Sequence, residues 1–126
     1  MSVVLDASAA LALLLEEPGG EKVAAAIHGA TISSVNMSEV YAKAVDMAKD
    51  VEAARDFFFA LPIRVSSFDD AHAVMAGKLR GQTRQYGLSF GDRACLATAM
   101  LEGRPVMTAD KAWRSLDLGI EVILIR

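Results

Sequence analysis

Apolar positions fall into short solid runs and longer periodic ones, and the two kinds alternate along the chain. Ser2-Val3-Val4-Leu5 is a solid run that predicts a short buried strand, ended by Asp6. A run rich in Ala and Leu follows from Ala7 to Leu15 and predicts a helix, closed by Pro18-Gly19-Gly20. Residues 20–28 predict a second short helix, stopped by Gly29, and Thr31-Ile32-Ser33 a second strand. From Asn36 the apolar residues fall at 37, 40, 41, 44, 45 and 48, which is helical spacing. Val51 to Leu61 continues as another helix, Pro62 ends it, and Ile63-Arg64-Val65 reads as a third strand. Asp69 to Leu79 predicts a helix and Gly81 to Gly87 a polar loop made basic by Arg84 and the adjacent Arg80. Ser89 to Leu101 predicts a further helix ending at Gly103, Pro105 to Thr108 a fourth strand, and Glu121 to Ile125 a fifth.

Strands alternating with helices imply an α/β domain with a mostly parallel sheet covered on both faces. In such sheets the functional site lies beyond the carboxyl ends of the strands. The residues that follow each strand therefore carry the chemistry, and four of them are acids. Asp6 follows Val3-Val4-Leu5, and Asp110 follows Val106-Met107-Thr108-Ala109. Asp92 stands near the start of the apolar helix, and Glu39 in the first turn of the helix that begins at Asn36. Each also fits a helix cap: Asn36-Met37-Ser38-Glu39 has the pattern of a capping box, Ser89 to Asp92 that of a related cap, and Asp6 and Asp110 each precede a helical run. Four at one edge of a sheet need a further reason, because clustered carboxylates repel unless protons or cations intervene. A hard divalent ion such as magnesium or manganese suits oxygen ligands, binds phosphate oxygens and activates water. Zinc has no ligand set here: His28 and His72 are isolated and Cys95 is the single cysteine. Phosphoryl chemistry is the resulting expectation.

Length and composition narrow the setting. The 126 residues predict one domain over residues 1–126, and 53% hydrophobic with 23% charged residues excludes disorder. The absence of a possible intrachain disulfide fits a reducing compartment. The first apolar run is broken by Asp6 and preceded by no basic stretch, so neither a signal peptide nor a membrane span is expected, and the expected location is the cytoplasm. The net charge of −3 argues weakly against nucleic acid, but it divides into −5 for residues 1–62 and +2 for residues 63–126. Setting aside the four acids above leaves the rest of the chain at +1.

The four acidic segments together resemble the motifs of the PIN-domain family of metal-dependent ribonucleases, specifically its VapC-type toxin branch. Val3-Val4-Leu5-Asp6-Ala7-Ser8-Ala9 corresponds to the first motif and Ile32 to Val40, with Glu39, to the second. Leu88 to Ala97, with Asp92, corresponds to the third, and Val106 to Lys111, with Asp110, to the fourth. The resemblance spans essentially the whole chain. It implies a three-layer α/β/α sandwich with a central, mostly parallel sheet of about five strands. It implies a magnesium- or manganese-dependent endoribonuclease, a homodimer, and a VapB-type antitoxin that occludes the site. Transfer or ribosomal RNA is the implied substrate class. A nuclease of RNA maturation and a non-enzymatic interaction module on the same fold are the alternatives. A haloacid-dehalogenase phosphatase needs a second Asp where Ser8 stands, and a receiver domain needs an Asp after the third strand, where Ser66-Ser67-Phe68 stand.

Under this resemblance Asp6, Glu39, Asp92 and Asp110 are the expected catalytic set. Asp6 and Asp92 are expected to touch the metal, with Glu39 and Asp110 completing the shell or orienting the attacking water. Ser8, Ser89 and Thr108 stand beside these acids as candidates to aim them, or as ordinary caps. Arg80, Arg84 and Arg93 are candidates for RNA binding, although solvated helix faces would use the same residues and Arg93 could instead pair with a carboxylate. Phe57-Phe58-Phe59 cannot all face one core, since successive helix residues are about 100° apart. Val51, Ala54, Phe57, Phe58 and Leu61 form one stripe, which leaves Phe59 on the polar side as a candidate partner contact. Cys95 and Trp113 are expected to be buried, and Met37, Met47, Met75, Met100 and Met107 to pack in the core or an interface.

Overall fold

The first strand, β1 (Val4–Leu5), is central because neither of its faces can meet water. Val3 and Leu5 point to one face of the sheet and Val4 to the other, following the two-residue period of a strand. The computed structural model describes residues 2–126. The strands β2 (Ala30–Ser33), β3 (Ile63–Ser66), β4 (Val106–Thr108) and β5 (Val122–Leu124) join β1 in one sheet of order β3-β2-β1-β4-β5. Every adjacent pair is parallel. All strands therefore end at one rim.

Six α-helices cover the sheet: α1 (Ala7–Leu14), α2 (Gly20–Ala25), α3 (Ser34–Asp46), α4 (Val51–Phe59), α5 (Asp70–Thr83) and α6 (Phe90–Glu102). One face packs Val3 and Leu5 against Ala9, Ala10 and Ala12 of α1, Val23 of α2, Val40 of α3 and Phe58 of α4. The other packs Val4 and Val106 against Leu79 of α5 and Cys95 and Leu96 of α6, with Trp113 beneath. The α/β/α arrangement and the five-stranded parallel sheet match the expectation. Among the described residues no helix is long and apolar enough to cross a membrane.

Three local expectations need correction. The residues 20–28 helix ends at Ala25, where the Ala26 and Ile27 N–H groups bond back into a turn. The helix expected from Asn36 starts two residues earlier, with Ser33 as its cap accepting from the Val35 N–H. The polar loop from Gly81 is mostly helix. α5 runs through Gly81 to Thr83, and a 3-10 turn (Arg84–Tyr86) follows up to Gly87, whose φ of 65° closes it. Thr83 is buried and its hydroxyl donates to the Leu79 carbonyl, so tertiary packing overrides the glycine. Met47 is exposed at the end of α3, so it does not pack in the core of this chain.

Cys95 and Trp113 are buried as expected. Burial, together with nearby carboxylates, pushes the Cys95 thiol well above its ordinary range. Leu96 is fully buried between the sheet and α5, away from the carboxyl rim. Leu96→Ala should therefore lower unfolding free energy by about 2–5 kcal/mol, the cost of such a cavity, measured by denaturant unfolding.

Candidate active site

Asp6 is the residue from which the rim is built. Its backbone N–H donates to the Met107 carbonyl at 3.2 Å, continuing the β1–β4 pairing by one residue. Its carboxylate caps α1, with Oδ1 accepting from the Ala9 N–H at 2.8 Å. Two hydroxyls complete its partners: Ser8 Oγ donates to Oδ1 at 2.7 Å and Thr108 Oγ1 to Oδ2 at 2.5 Å. The loop after β4 orients both of these donors. The Ala109 N–H donates to Ser8 Oγ at 2.9 Å and the Asp110 N–H to Thr108 Oγ1 at 3.0 Å. With an acceptor role already filled by backbone, each hydroxyl turns its proton toward Asp6. Asp6 is only 6% exposed, and burial raises its carboxyl above the ordinary 3.8 against the pull of these hydrogen bonds. The charge of Asp92 raises it further.

Asp92 and Glu39 reach the same place from other elements. Ser89 and Asp92 form a capping box at the start of α6: Ser89 Oγ accepts from the Asp92 N–H at 3.1 Å, and Asp92 Oδ2 accepts from the Ser89 N–H at 3.0 Å. Ser89 therefore aims Asp92 through its backbone N–H. Glu39 lies against Gly91, where a Cβ would stand only 2.5 Å from the Glu39 carboxyl carbon. Glycine at this position leaves room for the Glu39 carboxylate beside the α6 backbone. Asn36 fastens the approach, its Nδ2 donating to Glu39 Oε1 at 2.9 Å and to the Gly91 carbonyl at 3.0 Å. The Cys95 thiol lies within electrostatic reach of Asp6, Asp92 and Glu39 together.

The structure thus brings Asp6, Glu39 and Asp92 to one rim. It places Asp110 beside them by backbone, one hydrogen bond from Thr108, but turns the Asp110 carboxylate outward to cap the 3-10 turn Lys111–Ser115. Asn36 was expected to cap a helix; instead it is buried inside the first turn of α3 and ties Glu39 to α6. Its burial was hidden because Asn-x-x-Glu before an apolar run reads locally as a cap. Arg80 and Arg84 are exposed at the end of α5 and in the turn after it. Arg93 pairs with no carboxylate: its Nη1 donates to the Ala76 carbonyl at 3.0 Å, tying α6 to α5. Phe59 is 71% exposed, with the Arg55 guanidinium stacked 4.7 Å from its ring centre. The fellow stripe residue Phe58 is buried, whereas Phe57 is exposed, so the expected stripe is buried only in part.

Whether this rim suits a divalent ion depends on its donors. None of the three gathered carboxylates is paired with Lys, Arg or His among the described residues, whose ion pairs lie elsewhere, at Glu102 and Asp69. No three Asp, Glu, His or Cys side chains among the described residues converge tightly enough to enclose an ion. That excludes a closed protein cage. The donors present are carboxylate oxygens, the kind that magnesium and manganese take one or two at a time with waters completing the shell.

The parallel α/β/α sandwich carries acids at the end of β1 and at the openings of α3 and α6, at the rim where open α/β sheets bind ligands. The family model of the PIN domain matches residues 3–118, and the chain belongs to that family. Solved structures agree on the fold. DNA-bound VapBC from Salmonella typhimurium is similar at TM-score 0.78 and 18% identity, covering 100% of this chain and 99% of that one. VapBC2 of Rickettsia felis, bound to a promoter DNA fragment, gives 0.77 and 17%, covering 98% of each chain. The Mycobacterium tuberculosis toxin VapC20, described as cleaving the sarcin-ricin loop, gives 0.73 and 15%, covering 95% of this chain and 99% of that one. Among curated proteins none matches this sequence.

The raised Asp6 carboxyl has a thermodynamic sign. The folded state holds the Asp6 proton more tightly than the unfolded state, so stability falls as pH rises from 3.8 through the raised folded value. Above the raised value the charged form of Asp6 destabilises the fold. Asp6→Asn removes that charge and keeps the Ala9 and Ser8 bonds, while the Thr108 hydroxyl can rotate to accept. The variant should melt a few degrees above the wild type at pH 7, with the difference shrinking as pH is lowered, followed by calorimetry across pH.

Proposed function

We propose that this protein is a metal-dependent endoribonuclease acting as the toxin of a type II toxin–antitoxin pair. The observation that carries the reading is Asp6: a buried carboxylate, within electrostatic range of Asp92, with no basic side chain to neutralise it. Asp6 and Asp92 would hold a magnesium or manganese ion. When bound, that ion neutralises phosphate oxygens and lowers the pKa of water. Ser8, Thr108 and the Ala9 N–H fix the Asp6 carboxylate in place, and Ser89 fixes Asp92. Glu39 Oε1 is occupied by Asn36, which leaves Oε2 to accept a proton from the attacking water. Asp110, facing outward, orients solvent at the edge of the site. Its backbone N–H has the separate task of setting the Thr108 proton.

Transfer or ribosomal RNA is the proposed substrate class, in keeping with the sarcin-ricin loop activity described for a toxin of similar fold. Arg80 and Arg84 would line the path of the RNA backbone. A VapB-type antitoxin is the proposed partner, since structures of similar fold are VapBC complexes. Its seat would be the groove of about 720 Å³ between α3, α4 and β3, lined by Met37, Tyr41, Phe58, Phe59, Ile63 and Val65. Phe59 stands on its edge. A homodimer and a cytoplasmic location complete the proposal.

Purified protein, freed of antitoxin, should cut a total-RNA pool into discrete fragments with magnesium or manganese. Chelator and Asp6→Asn should each abolish cleavage. Cleavage that persists in Asp6→Asn, or in chelator, would overturn the assignment. Thr108→Val removes a donor to Asp6 while keeping shape, and should reduce activity or metal affinity about 10- to 100-fold. Isothermal titration with manganese separates the two effects.

A further inference from the structure

The first residue of α6 is a phenylalanine that packing within the chain leaves unexplained. Phe90 is 50% exposed although it begins an otherwise buried helix. It is held in place. Its ring meets Phe68, from the loop after β3, with centroids 5.4 Å apart and planes at 83°. Phe68 is anchored in turn, its backbone N–H donating to Ser34 Oγ at 3.1 Å. The Arg93 guanidinium lies 5.8 Å from the Phe90 ring centre, fixed by its bond to the Ala76 carbonyl. The result is a rigid aromatic surface with a cation beside it, at the same rim as the acids.

We propose that Phe90, backed by Phe68 and Arg93, is a stacking platform for one unpaired RNA base next to the scissile phosphate. This rests on the ribonuclease reading above. Position selects RNA over a protein partner. Phe90 stands two residues before Asp92 at the amino end of the same helix, about 3 Å along the axis and about 200° around it, so the ring and the carboxylate flank the same helix end from different sides. A phosphodiester at Asp92 carries its own base within reach of that ring. Unpaired bases stack on aromatic rings and guanidinium planes whatever their identity, and paired bases cannot offer a face. The platform therefore selects single-stranded sites in loops and adds affinity without reading sequence. It makes Phe90 a positioning residue for substrate.

The test is anisotropy binding of a fluorescein-labelled, mixed-sequence single-stranded RNA to the non-cleaving Asp6→Asn protein with magnesium. Phe90→Ala should weaken binding about tenfold, the effect of losing one base stack. Phe90→Leu should behave like Phe90→Ala, and Phe90→Trp should bind at least as tightly as the parent. A blunt duplex of the same composition should bind all four alike. In the cleaving protein, Phe90→Ala should raise KM and leave kcat nearly unchanged. Unaltered affinity in Phe90→Ala, full rescue by Leu, or equal loss on duplex overturns the platform. So does a change of mass in light scattering, which reassigns the ring to a protein contact. A wild-type protein that cuts no RNA overturns the ribonuclease reading itself. Wild-type cleavage that Phe90→Ala reproduces at the same KM overturns the platform alone.

Discussion

The structure turns on one buried carboxylate. Asp6 extends the central strand, caps the first helix and receives hydroxyl protons from both sides, so β1, α1 and β4 meet at its two oxygens. A hydrophobic side chain there would satisfy burial but leave the α1 terminus and the two hydroxyls without an acceptor. A protonated carboxyl would satisfy burial as well, but the hydrogen bonds favour the charged form. The site therefore holds desolvation and hydrogen bonding in opposition. Positive charge from outside relieves that opposition without changing any contact.

The second constraint is the close approach of α3 to α6. Both helices open at the same rim, and Gly91 is the gap that lets the Glu39 carboxylate lie against the α6 backbone. Asn36 bridges that approach from within the buried turn. Below it, α6 is apolar for most of its length and packs on the sheet, so Asp92 is carried on a support with little freedom. The acids come from three elements, yet the relative placement of Asp92 and Glu39 is set where α3 meets α6, at Asn36, Glu39 and Gly91.

The order and direction of the strands were legible because solid apolar runs such as Val3-Val4-Leu5 have no other place in an alternating α/β chain. The four acids were legible by position alone, each next to a strand end or a helix start. The reading of Ser89 to Asp92 as a capping box holds as well, since that motif is contained within four residues. What depended on distant residues was hidden. Asn36 looks like a cap until Gly91, 55 residues away, supplies the acceptor that buries it. Gly81 looks like a loop until Leu79 and Thr83 are seen packed beneath it. The outward turn of Asp110 depends on the local 3-10 winding after β4, which no apolar period announces. Phe90 is hidden for the opposite reason: at the head of an apolar helix, an exposed ring has the same sequence signature as a buried one.

The Asp6–Thr108 bond joins residues 102 positions apart, and the fold has no shorter route to that arrangement. During synthesis the first strand leaves the ribosome long before its partner β4 exists. Until then Asp6 stands at the edge of an incomplete sheet, without the hydroxyl that holds its second oxygen. The rim can take shape only when nearly the whole chain is available, and parallel pairing over such separations is among the slower steps in folding. A truncated or half-made chain therefore lacks the site altogether. Under the proposed ribonuclease function, this topology acts as a delay built into the order of the residues.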